Sequence, residues 1–188
     1  MGVRLAGRDV EVTTASGVFS GGRLDLGTEV LLKHVPDPPE HGHLLDLGCG
    51  WGPIALTMAI LSPEATVWAV DVNDRALELV AENATRLGLP GVRPVRPEDV
   101  PDDVTFAALW SNPPIRVGKQ ALHDLLLTWV PRLAEGASAH LVVQRNLGAD
   151  SLMKWLDGEL SPSFSVSRTA SGKGFRVLTA TRLAAGRA

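Results

Sequence analysis

The chain has no tyrosine and only one cysteine, Cys49. A lone thiol excludes an internal disulfide and cannot by itself build a zinc site. No apolar run approaches the roughly 18 residues a membrane helix needs, and Met1–Val12 carries charges where a signal peptide needs its apolar centre. No contact with a membrane is therefore expected, and a cytoplasmic location is. There is no excess of positive charge: the formal net charge is −3, without the global basic field of a dedicated nucleic-acid binder, so any RNA contact would be local. His34, His41, His43, His123 and His140 are scattered without ligand spacing, so no metal is expected. Repeats and low-complexity tracts are missing as well.

What is present suits one domain of ordinary size, with 188 residues, 45% apolar and 21% charged. Arg8–Thr14 alternates Val10, Val12 and Thr14 and is punctuated by Ser16-Gly17, which predicts an initial strand or hairpin. Thr28 is placed to cap a short helix through about His34, which Pro36, Pro38 and Pro39 end. From His43 strands and helices alternate. The expected strands are His43–Leu47, Ala65–Val70, Gly91–Val95 (an edge strand, given Pro94), Thr105–Trp110 and Ala139–Gln144. The expected helices are Pro53–Leu61, Asp74–Leu87, Ala121–Leu133 (stopped by Gly136) and Ser151–Leu160. Ser163–Thr169 and Phe175–Thr181 flank a hairpin turn at Ser171–Gly174. Such alternation demands a parallel sheet with helices on both faces, here with an antiparallel edge. Residues 1–40 are read as a hairpin and helix packed on the core 41–188, within the same domain.

Two turns carry chemistry. Ser111-Asn112-Pro113-Pro114-Ile115 follows the apolar run Phe106–Trp110, so Asn112 should stand where a strand gives way to a loop. Two prolines in series stiffen that turn, and Pro113 keeps a carbonyl while giving up its N–H. The Asn112 side-chain oxygen and a backbone oxygen thus become neighbouring acceptors, suited to the two hydrogens of an amine. The other turn is Asp46-Leu47-Gly48-Cys49-Gly50-Trp51-Gly52, whose glycines allow a tight bend and let a ligand lie against bare backbone. A dinucleotide-type pattern would place its last glycine at Pro53, which weakens a nicotinamide-cofactor reading. Asp71 ends the following strand, where a carboxylate can accept both hydrogens of a ribose diol.

The spacing D-x-G-x-G-x-G with an acidic residue one strand later resembles the S-adenosylmethionine (SAM) site of class I methyltransferases. The resemblance implies a Rossmann-like fold, with a seven-stranded, mostly parallel sheet and an antiparallel C-terminal strand. It implies that Asp46, Gly48, Cys49, Gly50 and Gly52 line the methionine and ribose part of SAM, that Asp71 holds the ribose hydroxyls, that Val72 or Asn73 borders the adenine, and that Glu98 or Asp99 lies near the adenine amine.

Asn-Pro-Pro followed by an apolar or aromatic residue resembles methyltransferases of planar amines or amides: adenine N6, guanine N2 and glutamine N5. Ile115 gives an apolar wall where an aromatic would stack, leaving Phe19, Trp51 or Trp110 as candidates for that role. Gly17–Ser20, Leu24–Thr28 with Leu31-Leu32, and Asn112–Lys119 together resemble the small methyltransferase domain of the RsmC-type ribosomal RNA guanine-N2 methyltransferases. Val142-Val143-Gln144, Gly148-Ala149 and Gly174–Leu178 resemble the single-domain archaeal members, whereas the longer bacterial enzymes carry an extra N-terminal domain that this chain lacks. By that resemblance Asn112, Pro113, Pro114 and Ile115 form the catalytic turn, Phe19, Asp25 and Thr28 form a lip over cofactor and target, and Arg116 and Lys119 meet phosphate. The expected partner is small-subunit ribosomal RNA, the product S-adenosylhomocysteine, and the enzyme a monomer or homodimer. Methylation of a protein glutamine, another base or a small metabolite stays open, as does a non-catalytic SAM-binding subunit.

Overall fold

The structure, a computed structural model, describes residues 1–15, 24–114 and 117–185. Phe19, Ile115 and Arg116 lie outside the described residues, as does the Ser16-Gly17 punctuation.

Among the described residues, nine strands and five α-helices run in the order β1 (Gly2–Leu5), β2 (Arg8–Glu11), α1 (Leu26–His34), β3 (His43–Leu47), α2 (Pro53–Leu61), β4 (Thr66–Val70), α3 (Asp74–Leu87), β5 (Val92–Val95), β6 (Phe106–Ser111), α4 (Lys119–Trp129), β7 (Leu133–Gln144), α5 (Ala149–Leu160), β8 (Phe164–Gly172) and β9 (Phe175–Arg182). β1 and β2 form a separate hairpin; the other seven make one sheet in the order β5-β4-β3-β6-β7-β9-β8. Strands β5, β4, β3, β6 and β7 are mutually parallel, and β9 joins antiparallel to β7 with β8 outside it. This is the α/β class I methyltransferase architecture. Pro94 sits in the edge strand β5, where its missing N–H interrupts only one ladder.

The sheet buries both faces because its strands alternate between two cores. Leu44, Val67, Ala69, Trp110 and Val142 face α1, α2, α3 and the β1–β2 hairpin. Leu45, Leu47, Val70, Leu109, Leu141 and Val143 face α4 and α5. On α3 the buried face is formed by Ala76, Leu79, Val80 and Ala84, and Gly88 closes the helix at φ 66°. Full burial of Leu79 alone removes enough apolar surface to contribute about 1.5–3 kcal/mol. Buried Asn83 ties the segment after the hairpin to the glycine turn, donating to Thr13 O at 3.0 Å and Trp51 O at 3.2 Å while accepting from Thr13 N at 2.7 Å.

Several boundaries differ from the sequence reading: β7 starts six residues early, at Leu133 and not Ala139, α4 and α5 start two residues early, and β8 runs on to Gly172. The cap of α1 is Asp25 and not Thr28: its carboxylate Oδ2 accepts from Gly27 N and Thr28 N at 2.8 and 3.1 Å, and Thr28 is buried inside the helix. Helix α4 ends at Trp129 rather than Leu133, because Pro131 cannot continue it and a 3-10 turn, Val130–Arg132, leads directly into β7. Gly136 therefore stops no helix. It lies within β7 at φ 78°, where the strand bulges between Leu133, paired with Phe106, and Ser138, paired with Ala108. Among the described residues, no helix is long and apolar enough to cross a membrane.

Candidate active site

β3 delivers the chain to a turn that only glycines can make: Gly48, Gly50 and Gly52 hold φ of 77°, 54° and 96°. The turn is stitched to the neighbouring strand, since Gly48 N and Cys49 N both donate to Val70 O, at 2.8 and 3.1 Å. Asp71, the next residue along β4's exit, completes the seam. Its Oδ2 accepts from Gly50 N at 3.0 Å and its Oδ1 from Asn73 N at 3.0 Å. Both oxygens are thus oriented by backbone, and each keeps a lone pair for a further donor. Asn73 in turn caps α3, accepting from Arg75 N at 3.0 Å.

Asp46 has a different position from the one the motif suggests. It is fully buried, and its Oδ2 accepts from Ala55 N at 2.9 Å in the first turn of α2. Its Oδ1 meets no partner among the described residues. Burial pushes its pKa up to about 8; the bond from Ala55 N–H opposes the rise, and the Asp71 charge adds to it. At neutral pH Asp46 is therefore held mainly as a neutral acid that braces the turn. Cys49 is also buried, and burial, with the charges of Asp46 and Asp71 behind it, pushes its thiol well above the ordinary value.

At the end of β6, Ser111 Oγ donates to Leu47 O at 2.5 Å, fixing the second turn against β3. The Asn112 amide nitrogen donates to Asp25 Oδ2 at 2.7 Å and to Thr28 Oγ1 at 3.1 Å. A carboxylate can only accept, so this pairing decides the orientation of the amide. Both donor hydrogens are engaged by α1, and Oδ1 is left as the acceptor of a side chain that lines a cavity.

That cavity, about 490 Å³, runs along the carboxyl edge of the sheet. Asp71, Val72 and Asn73 wall it beyond β4, and Gly48 and Gly50 beyond β3. Asn112, Pro113 and Pro114 stand at its middle, while Gln144, Leu147 and Phe175 form the β7–β9 end. Val72 is 72% exposed at its mouth. The position follows a general rule of open α/β sheets, whose crevices form outside the strand ends where neighbouring crossovers diverge.

Not every residue expected at the site lies on this cavity. Asp46, Cys49 and Gly52 do not line it; they shape the turn from beneath. Glu98 and Asp99 occupy a 3-10 turn, Pro97–Asp99, of which Pro97 alone reaches the cavity. Thr28 meets Asn112 from α1 and lines a small neighbouring crevice with Cys49, Trp51 and Ile54. Asp25 borders both spaces. Lys119 opens α4, exposed. Trp51 and Trp110 are 1% and 2% exposed, so neither has a face free to stack on a ligand. The lining residues given no role beforehand include Gln144, Leu147, Phe175 and Val117. A strand-end rule picks out Gln144, but the hairpin that returns Phe175 to the same edge is a matter of topology.

A family model described as methyltransferase small domain matches residues 9–179. An uncharacterised protein of Bacillus subtilis, YbxB, is 34% identical over 183 residues, covering 96% of this chain and 90% of its own length. A ribosomal RNA small subunit methyltransferase C of Pseudomonas paraeruginosa is 35% identical over 187 residues, covering 95% of this chain and 53% of its own length. The chain thus spans about half of that relative. Among solved structures, the Thermus thermophilus 16S rRNA N2 G1207 methyltransferase, described in complex with AdoMet and guanosine, superimposes with a TM-score of 0.81 at 20% identity, over 97% of this chain and 50% of that one.

Proposed function

This chain belongs to the methyltransferase small domain family, and from that premise we propose that it transfers a methyl group from SAM to the N2 amine of a guanine in small-subunit ribosomal RNA. The observation that carries the reading is the Asn112 amide, turned by Asp25 and Thr28 so that its acceptor oxygen belongs to the cavity.

The residues at the β3–β4 end fit the cofactor. Asp71, held by Gly50 N–H and Asn73 N–H, presents two oriented oxygens to a ribose diol. Gly48 offers bare backbone, and Val72 and Ala76 give apolar cover for an adenine ring. When bound, SAM supplies an electrophilic methyl group carried on a sulfonium. A purine's exocyclic amine is a poor nucleophile because its lone pair is delocalised into the ring. Asn112 Oδ1 and the Pro113 carbonyl accept its two N–H bonds, favouring the pyramidal nitrogen as positive charge develops. The stiff Pro113-Pro114 turn holds these acceptors between the two ends of the cavity, so that positioning supplies much of the rate. Once the N–C bond has formed, the nitrogen releases one proton to solvent. A paired or stacked guanine must first leave its stack to reach this depth. The product left in the site is S-adenosylhomocysteine, and Lys119 at the start of α4 meets RNA phosphate near the mouth.

Incubation with methyl-labelled SAM and, separately, small ribosomal subunits, bulk transfer RNA and lysate protein tests the assignment. Label recovered as N2-methylguanine from small-subunit RNA is the expected result. Label on protein glutamine with none on RNA would overturn it.

A further inference from the structure

We propose that Gln144 and Phe175 form the subsite that recognises the target base, Phe175 against its face and Gln144 on the edge next to the amine. The inference rests on the guanine reading above and deepens it. The cavity spans β4-β3-β6-β7-β9, five adjacent strands, or about 19 Å at the usual spacing. The cofactor-type features, Asp71, Gly48 and Gly50, occupy one end, with Asn112 in the middle. The other end is then left for the molecule that carries the amine.

That end is built, and it is held in place. Gln144 and Phe175 are directly paired across β7 and β9. Just beyond them, Arg145 N donates to Gly174 O at 2.9 Å, tying the exit of β7 to the turn that enters β9. The Phe175 ring lies against Gly27 of α1, so closely that a Cβ there would come within 2.9 Å of Cε1. Phe175 is the one aromatic lining the cavity among the described residues. It supplies the flat apolar surface that Trp51 and Trp110, both buried, cannot offer.

Gln144 is exposed, and its amide engages no other side chain among the described residues. Ser111 pairs with Leu141, so Gln144 stands one strand over and two residues beyond the level of Asn112. The two α-carbons are then about 8 Å apart, a gap that a purine's hydrogen-bonding edge can bridge between two amide side chains. Next to its N2 amine, guanine presents N1–H as a donor and then O6 as an acceptor. A glutamine amide is complementary to that pair, its oxygen accepting N1–H and its nitrogen donating to O6. Adenine places an unprotonated N1 beside its amine, and a protein glutamine has no ring to stack and no second edge to read.

Steady-state methylation of small-subunit RNA, alongside SAM binding by calorimetry, tests the subsite. Gln144→Ala should lower kcat/KM for RNA roughly ten- to hundredfold, mainly through KM, the usual range for losing a bidentate base contact. SAM affinity should stay within about twofold. Gln144→Glu keeps an acceptor but loses the donor for O6, and should be at least as impaired as Gln144→Ala. Phe175→Leu should be impaired in the same parameter, with Phe175→Trp restoring most of the loss, which a packing role on Gly27 alone would not do. If the wild type methylates RNA guanine while Gln144→Ala, Gln144→Glu and Phe175→Leu all keep its kcat/KM, the subsite is wrong and the guanine reading survives. If the wild type labels no RNA, the guanine reading fails and takes this inference with it.

Discussion

Asn112 offers its oxygen to the cavity because two neighbours hold its nitrogen, and one of them also starts a helix. Asp25 Oδ2 accepts from Gly27 N, Thr28 N and Asn112 Nδ2, joining the entry of α1 to the turn after β6. Capping and orienting are separable, since serine is about as good a cap as aspartate but too short to reach the amide. Asp25→Ser should therefore leave thermal stability nearly unchanged and lower single-turnover methyl transfer roughly ten- to hundredfold, the loss of one charge-assisted orienting bond; an unchanged rate would mean that Asn112 is oriented by other means. Asp46 yields a pH effect. Its folded pKa of about 8 lies above its ordinary 3.8, so the folded state binds a proton that the unfolded chain has released. Its contribution to stability is complete below about pH 4 and is lost as pH rises through 8. His140 works in the opposite sense, because burial lowers its pKa from 6.5 to about 4, and its stabilisation is lost as pH falls through that range. Between pH 6.5 and 8 the Asp46 slope stands nearly alone. Denaturant titrations across that window should show stability falling with pH in the wild type and a flatter profile in Asp46→Asn. Equal slopes would contradict the neutral-acid assignment.

At the scale of elements, apolar pattern and its stops located most of the chain. β3 and α2 begin and end where continuous apolar runs meet glycine and proline, and α3 where a one-sided apolar face runs from the Asn73 cap to Gly88. The start of α1 was misread because Asp25 and Thr28 are both good caps, and only the fold shows Asp25 accepting from the first N–H groups of the helix while Thr28 lies buried within it. Gly136 was misread because a positive φ serves a bulge as readily as a helix end. The same helix entry gives a test in which local propensity and site geometry disagree. Gly27→Ala removes a poor helix former, worth up to about 1 kcal/mol, but its Cβ would stand 2.9 Å from Phe175 Cε1 and 3.0 Å from Asp25 Oδ2. Because both obstacles are side-chain ends that can swing aside, stability should change little while kcat/KM for RNA falls. Wild-type kcat/KM in this variant, measured beside its melting temperature, would show that neither neighbour needs its present position.

Across the whole molecule, sheet order does what no single motif can. Asp71, Asn112 and Phe175 are far apart in the chain, yet the order β4-β3-β6-β7-β9 sets them along one edge, with the Asn112 turn between the glycine-turn end and the β7–β9 end of the cavity. Both turns were legible in the sequence because each is a short run of residues with unusual backbones, glycines that allow positive φ in one and prolines that fix φ in the other. The third wall was not, because it needs β9 to return antiparallel beside β7. The central claim is that Asn112 binds the target amine and not the cofactor, and Asn112→Ala tests it most directly when SAM affinity and methyl transfer to small-subunit RNA are measured on the same preparation. The expected result is SAM affinity within about twofold of wild type and a single-turnover rate lower by roughly 10²–10³, the usual loss when one preorganised partner of a developing charge is removed. A wild-type transfer rate, or a loss of SAM affinity that accounts for the whole defect, would contradict it.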